Sequence, residues 1–528
     1  MSSSSPAQVF AAHILASLAK AGVTNFFLAP GARSQALAIA AGQLAAAGKI
    51  KLHVRLDERS MGFTALGSAL LSGEPSVLIT TSGTAVANLH PAVLEASHSG
   101  VPLILLTADR PHELRGVGAN QTTNQIGIFG DAVRECVDVP APNGNDGEIQ
   151  EAATLATNAI AVAMGYDGDQ PGPVQLNLAF REPLSAVEPN AAELNPRIEL
   201  PNIFEPHPEF AMLSAERPTV VMAGAGAGSD AVELAEAFGW PLFAEPSSGA
   251  RMGANVILGY RNLLEQNAEL ANQIGRVIVF GKPTLGRAAI RLLYNQDIEV
   301  VVVRSKTMGH FDVSRRASQI IDEITVDDEV DFEWLEAWRR ADHEHISVFE
   351  SNSDALDRRA LIQAVWRVTE GADQLLLGAS RLIREADAHA PAKAIKVFSN
   401  RGLAGIDGTV ATGVGIALVE REGTTRVLLG DLTLLHDAGS LNVDPRDGDL
   451  NIQVIVGNDN GGSIFGGLEM AKTLDGETFD RLFTTPQQVD LWHLAQAYGW
   501  SYERVESLGQ LDAALAKTGR VLVDVRLA

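Results

Sequence analysis

Short, mostly apolar runs without alternating charge recur along the chain between longer stretches of helical period, as at residues 25–28, 76–81, 102–107 and 174–178. A strand that is apolar throughout has both faces covered, the situation of a parallel sheet whose crossover connections are helices. The first 187 residues therefore predict one doubly wound α/β unit. Candidate strands at 219–223, 277–280 and 299–303 predict a second unit over 218–345, closed by a charged helical segment at 328–345. A third unit, 346–528, starts a helix in SNSDALDRR and carries strands near 374–377, 396–399, 426–429, 452–456 and 521–525. Between the first two, the Pro- and acid-rich stretch 188–217 has no sustained period and reads as a surface linker. The expected fold is α/β, three doubly wound parallel-sheet domains without a short tandem repeat.

The 528 residues carry a net charge of −24, so nucleic acid or an anionic membrane meets general repulsion, and an anionic small molecule needs local arginines. Cys136 is the only cysteine, which excludes an internal disulfide, a cysteine zinc site and an iron–sulfur cluster and fits a reducing cytoplasm. The opening MSSSSPAQ lacks the basic start and apolar core of a secretory signal and reads as a frayed end. No apolar run reaches the roughly 18 to 20 residues of a membrane span, so no membrane insertion is expected.

Ligands of open α/β sheets bind beyond the carboxyl ends of strands, which directs attention to glycine-rich strand ends. Gly224-Ala225-Gly226-Ala227-Gly228-Ser229 is similar to a dinucleotide loop but has Ser229 in place of the third glycine and no clear ribose-binding acid after it, so it reads as a tight strand-to-helix turn. In the last unit one strand runs into Gly430-Asp431 and the next into Gly457-Asn458-Asp459-Asn460-Gly461-Gly462. Asp431, Asp459 and a glycine carbonyl are the hard oxygen ligands that Mg²⁺ takes when it also holds a diphosphate. Asn, Asp and Gly also cap strands in plain turns, so both readings stand. In the first unit a strand at 53–56 leads through Asp57-Glu58 into a helix at 61–72, and a helix start favours a carboxylate such as Glu58 for stability alone. His90, His98, His343, His345, His436 and His493 lack ligand spacing, so zinc chemistry is not expected.

A glutamate in one α/β unit and a GD…NDNGG pattern in another resemble the thiamin-diphosphate enzymes, over the whole chain in the order pyrimidine, central and diphosphate domains. APGARS (29–34), LDERSMGFTALG (56–67), TSGTAVANLHPAVLEA (81–96), TADRP (107–111), GANQTTNQ (118–125), SNRGLAGIDG (399–408) and GDLTLLHD (430–437) are similar to the menaquinone-biosynthesis branch of that family. The resemblance implies a decarboxylating transferase that takes 2-oxoglutarate and adds the remaining four-carbon unit to isochorismate. It implies thiamin diphosphate with Mg²⁺ or Mn²⁺ as cofactors, and a homodimer or homotetramer whose cofactor lies between subunits. By the same resemblance Glu58 faces the aminopyrimidine, Ser82, Gly83 and Thr84 line its pocket, and Ile406 props the cofactor. Gly430, Asp431, Leu432, Asp459, Gly461, Gly462, Ile464 and Phe465 surround the diphosphate, with Asp431, Asp459 and Gly461 on the metal and Asn458 the alternative to Asp459.

Both substrates are dicarboxylates, which calls for guanidinium pairing in a strongly acidic chain. Arg33, Arg110, Arg287, Arg384 and Arg401 are the candidates; the resemblance implies that Ser380 and Arg384, four apart on one helical face, hold a substrate carboxylate and Arg401 another, that Arg287 approaches the isochorismate side, and that Gln121 is the active-site amide. Two positions depart from the family pattern: Ala32 stands where a serine is usual, and Asp459 where an asparagine is usual. The rival readings are a pyruvate-using, FAD-bearing relative of acetohydroxyacid synthase and a noncatalytic dinucleotide-binding protein.

Overall fold

The computed structural model describes residues 5–186, 188–204, 207–326, 332–349 and 355–527. The chain divides into two compact units, one of Met1–Pro206 with Asp407–Arg421 and Asp437–Leu450, the other of His207–Ile406 with Glu422–His436 and Asn451–Ala528. Among the described residues no helix is long and apolar enough to cross a membrane.

The first unit holds a six-stranded sheet of β1 (Asn25–Leu28), β2 (Lys51–Val54), β3 (Ser76–Thr80), β4 (Leu103–Asp109), β5 (Glu135–Val139) and β6 (Pro173–Ala179), in the order β2-β1-β3-β4-β6-β5 and parallel at every pairing. Alternate residues Phe26, Leu28, Val77, Ile79, Ile104 and Leu106 share one core with the helices Pro6–Lys20, Gln35–Ala46 and Glu148–Met164. The helix Glu58–Ser72 from Ser60 to Ala69 and the late helix Thr409–Val419 from Thr409 to Leu418 are buried at every position, with only small hydroxyl groups among their apolar side chains, as helices enclosed by protein must be. They approach backbone to backbone, for a Cβ on Gly67 would lie 2.0 Å from the Thr412 carbonyl oxygen and one on Gly415 would lie 2.0 Å from that of Thr64.

The second unit holds three sheets. β8 (Thr219–Ala223), β9 (Leu242–Ala244), β10 (Arg276–Phe280), β11 (Glu299–Val303) and β12 (Ala317–Ile321) form a five-stranded parallel sheet in the order β12-β11-β10-β8-β9. β7 (Phe210–Leu213) pairs in parallel with β13 (Glu323–Val326). The last sheet orders β14 (Gln374–Leu377), β15 (Lys396–Phe398), β16 (Thr425–Gly430), β17 (Ile452–Asn458), β18 (Ser501–Val505) and β19 (Arg520–Arg526) as β15-β14-β16-β17-β19-β18. Counted from its own first strand, this is the order 2-1-3-4-6-5 of the first sheet. In both, the order reverses between the first and third strands, and that switch point is where a doubly wound sheet opens a crevice at its carboxyl edge.

Several elements differ from the sequence reading. The strand expected at 53–56 is Lys51–Val54, and the helix begins at Glu58 rather than 61, because Asp57 Oδ1 caps it by accepting from the Arg59 and Ser60 amides at 2.9 and 3.4 Å. The stretch expected as linker contains β7, whose Ala211 and Leu213 point into the core while Phe210 and Met212 face out. The charged helix is Glu333–Phe349; its expected start, 328–331, and Ser351–Asp354 of SNSDALDRR lie outside the described residues. The helix after them is Arg358–Val368, capped by Asp357 Oδ1 on the Ala360 amide at 2.8 Å. The glycines after β8 serve a tight turn, since a Cβ on Gly224 would lie 2.0 Å from the Pro283 nitrogen.

Candidate active site

In the first unit the loops beyond β1, β3 and β4 converge at the switch point. Gly31 is required there, because a Cβ on it would lie 2.2 Å from the Thr81 Cβ. The buried Arg33 donates its backbone amide to Thr81 Oγ1 at 3.3 Å and Nη1 to the Phe180 carbonyl at 3.0 Å. Ser82 Oγ donates to the Gln121 carbonyl at 2.8 Å, and Gln121 Nε2 returns a bond to the Ser82 carbonyl at 2.9 Å. This clasp puts Gln121 at φ +54° and Gly83 at φ +86°. Thr84 opens the following helix and is exposed. Arg110 turns Nε and Nη2 onto the Asn120 carbonyl at 3.2 and 2.9 Å, fastening TADRP to GANQTTNQ.

A residue within that last motif does more than its sequence context indicates. Gln125, fully buried, accepts from the Gly83 amide at 2.9 Å and donates to Asn177 Oδ1 at 2.9 Å. Asn177 in turn donates to Asp109 and Asp138, on which Arg115 closes at 3.1 and 2.8 Å. The network borders a cavity of about 370 Å³ lined by Asp109, Arg115, Gly116, Gly118, Thr122 and Gln125, among others. Glu58 stands half-buried at the start of its helix, where the aligned amides favour a carboxylate. Ser60 Oγ, one turn in, receives Ser440 Oγ at 2.9 Å, and Arg59 lies 3.9 Å from Asp437, so the late segment braces the helix start.

In the second unit GD and NDNGG meet. β16 pairs with β17 through Gly430 and Gly457, which sets Asp431 beside the turn that follows β17. Burial pushes the Asp431 carboxyl up to about 6; the neighbouring Asp459 charge adds to this, while the Leu432 and Gly461 amides pull against it. Gly461 sits at φ +135° with a would-be Cβ 2.4 Å from the Thr484 carbonyl oxygen, so this turn admits only glycine. Asp459 Oδ2 is held by Arg358 Nη2 at 2.6 Å, a partner no local pattern marks. The alternative ligand Asn458 is engaged, donating Nδ2 to Asp524 at 2.9 Å and accepting the Asn460 amide on Oδ1 at 3.2 Å.

Among the described residues no three His, Cys, Asp or Glu side chains gather as a metal site. A hard divalent cation carried in with a diphosphate needs fewer, and two neighbouring carboxylates, one of them raised chiefly by burial and further by the charge of the other, suit it. Leu432 continues from Asp431 into the helix Asp431–His436, and Gly462, Ile464 and Phe465 follow as the half-buried run into the short helix Ser463–Gly467.

Four guanidinium groups gather beyond β14. The Arg384 guanidinium is pushed down by burial and by the charges of Arg401, Arg261 and Arg287, with Glu245 opposing. Arg401 is buried and donates Nη2 to Thr284 Oγ1, and Arg287 is exposed at the start of the helix Arg287–Tyr294. Ile406 is half-buried just ahead of the helix Thr409–Val419. The expected pairing of Ser380 and Arg384 on a helical face is corrected. Ser380 is the residue before the helix Arg381–His389, at φ +91°, and its backbone carbonyl accepts Arg384 Nη1 at 2.6 Å.

The sequence matches the family description of the thiamine pyrophosphate enzyme N-terminal TPP binding domain over residues 9–128 and the C-terminal TPP binding domain over 384–525. Among curated relatives, 2-succinyl-5-enolpyruvyl-6-hydroxy-3-cyclohexene-1-carboxylate synthase of Leifsonia xyli is 45% identical across 97% of this chain and 94% of its own. Proteins of the same name from Kineococcus radiotolerans and Thermobifida fusca are 42% and 38% identical, each across 99% of this chain and 96% of theirs.

Proposed function

The chain belongs to the family of 2-succinyl-5-enolpyruvyl-6-hydroxy-3-cyclohexene-1-carboxylate synthases, thiamin-diphosphate-dependent transferases of menaquinone biosynthesis, and from that membership we propose which of its residues do the work. The reaction is decarboxylation of 2-oxoglutarate and 1,4-addition of the remaining succinyl unit to isochorismate. Bound thiamin diphosphate supplies the electron sink that lets a 2-oxo acid lose CO2. Asp431, Asp459 and the Gly461 carbonyl would hold Mg²⁺ or Mn²⁺ with the diphosphate, and the observation that carries this is the Asp431 carboxyl lodged between the Gly461 amide and the Asp459 charge.

Glu58 would meet N1′ of the aminopyrimidine and exchange a proton with it. Ser82, Gly83 and Thr84 shape the ring's pocket, with Gln121 and Gln125 holding that turn. Arg384 and Arg401 pair with the 2-oxoglutarate carboxylates, and Arg33, Arg110 and Arg287 with those of isochorismate. Concentrating guanidinium groups in a chain of net charge −24 is what selection for dianions requires. Ser380 contributes through its backbone, anchoring Arg384. The working form is a homo-oligomer, a dimer or a tetramer, in which Glu58 of one copy and Asp431 of another serve the same cofactor. A cytoplasmic location belongs to the proposal and agrees with a single free cysteine, Cys136.

The test mixes the protein with thiamin diphosphate, Mg²⁺, 2-oxoglutarate and isochorismate and follows loss of the acceptor's absorbance. Turnover that needs all four components is expected. Equal turnover with pyruvate in place of 2-oxoglutarate would refute the arginine assignment, and turnover without added divalent cation after chelation would refute the metal site.

A further inference from the structure

Glu245 follows β9 directly and is 3% exposed, yet neither the family motifs nor the site above uses it. Its Oε1 accepts two backbone amides of the KPTLGR segment, Thr284 at 2.6 Å and Leu285 at 2.5 Å. Its Oε2 is buried with no hydrogen-bond partner. Of the ionisable groups around it, Asp387 disfavours its charge and Arg401 favours it, and Tyr260 and Arg384 also feel it. Burial first, and then Asp387, pushes the carboxyl up to about 8, so at neutral pH the unpartnered oxygen carries a proton.

The turn that Glu245 holds is the one that presents Thr284, and Thr284 Oγ1 receives Arg401 Nη2. Lys282 in the same segment reaches the Gly402 carbonyl at 2.6 Å, so the KPTLGR turn and the Arg401 loop are fastened together at two points. We propose that Glu245 is a positioning residue for the donor substrate: by gripping the Thr284–Leu285 amides it fixes Thr284, and through Thr284 the orientation in which Arg401 meets the 2-oxo acid's carboxylate. This rests on the assignment of Arg401 to that carboxylate. A planar neutral acceptor does the same work, so Gln can replace Glu245, whereas Ala cannot.

The test measures KM and kcat for 2-oxoglutarate, and thiamin diphosphate affinity, in the full-length holoenzyme and in Glu245→Ala, Glu245→Gln, Thr284→Val and Arg401→Met. Loss of a hydrogen-bond chain to a charged group predicts a KM rise of at least about tenfold in Glu245→Ala, and a smaller rise in Thr284→Val. Cofactor affinity should stay unchanged, and Glu245→Gln should lie within about threefold of the parent. A Glu245→Gln variant as impaired as Glu245→Ala overturns the proposal, as does a loss of cofactor affinity with KM untouched. Should Glu245→Ala not fold, Thr284→Val decides: an unchanged KM there overturns the chain of contacts. Unchanged KM in Arg401→Met overturns the site assignment and the proposal with it, while a rise there and none in Glu245→Ala overturns the positioning role alone.

Discussion

Replacing Gly67 by alanine tests how the Glu58 helix is held. A Cβ at this position would sit 2.0 Å from the Thr412 carbonyl oxygen and 2.9 Å from its Cα, inside contact range of backbone that has no rotamer to change. The helices Glu58–Ser72 and Thr409–Val419 must part by about 1 Å, in an interior packed as densely as a crystal. Overpacking of this kind costs about 3 kcal/mol at the upper end of its usual range. The better helix propensity of alanine returns about 1 kcal/mol, leaving a net loss of about 2 kcal/mol. At roughly 2–4 °C per kcal/mol for a unit of this size, Gly67→Ala should melt about 4–8 °C below the parent. Gly42 supplies the control, for it lies inside the helix Gln35–Ala46 with nothing within 4 Å of its would-be Cβ. Gly42→Ala should gain about 0.5–1 kcal/mol and melt slightly higher. Thermal unfolding of the cofactor-free proteins, followed by calorimetry at one pH, reads both. If Gly67→Ala melts at or above the parent, or if the two variants shift the same way, the close helix approach is not what the geometry says it is.

Three further outcomes are expected. Glu58→Gln should lower turnover by at least about 10²-fold with the melting temperature unchanged, and near-parental turnover would remove Glu58 from the chemistry. Asp431→Ala should weaken Mg²⁺-dependent cofactor binding at least about tenfold by titration; in the parent, protons compete for a carboxyl that titrates at about 6, so binding should weaken as pH falls through that value. Asp447 is buried with His53 Nδ1 at 2.7 Å and Arg55 Nη1 at 2.7 Å, and although burial alone would raise it, these partners hold its carboxyl below the ordinary range. Its contribution is therefore present above the unfolded pKa and lost as pH falls through the folded one. Asp447→Asn should cost about 3–5 kcal/mol at pH 7, with the gap to the parent closing below about pH 4 in denaturant titrations.

Strands covered on both faces were legible because burial leaves a run dominated by apolar residues and free of charge, as in β3, β8, β14 and β17, each buried from end to end. Edge strands carry no such mark: β5 and β18 are both exposed at the start and buried only at the last residue, and β2 buries one residue in four. The site divides in the same way. The places of Glu58 at a helix start and of Asp431 and Asp459 after neighbouring strands were legible in the local pattern, whereas the roles proposed for them come from the family resemblance. Ser380 was misread because a left-handed backbone at a helix start cannot be told from a first helical turn by spacing. Arg358, Gln125 and Glu245 act on residues 101, 42 and 39 or 40 positions away, and no window along the chain contains both partners. What spacing could least disclose is that the first and last sheets share one strand order. Their switch points are equivalent, so the loops bearing Arg33 and Ser82 after β1 and β3 correspond to those bearing Ser380 and Asp431 after β14 and β16. Topology thus dictates where each sheet opens its crevice, and the side chains placed there differ sharply, Arg33 with the hydroxyl of Ser82 and the amides of Gln121 and Gln125 at the first and the carboxylates of Asp431 and Asp459 at the last.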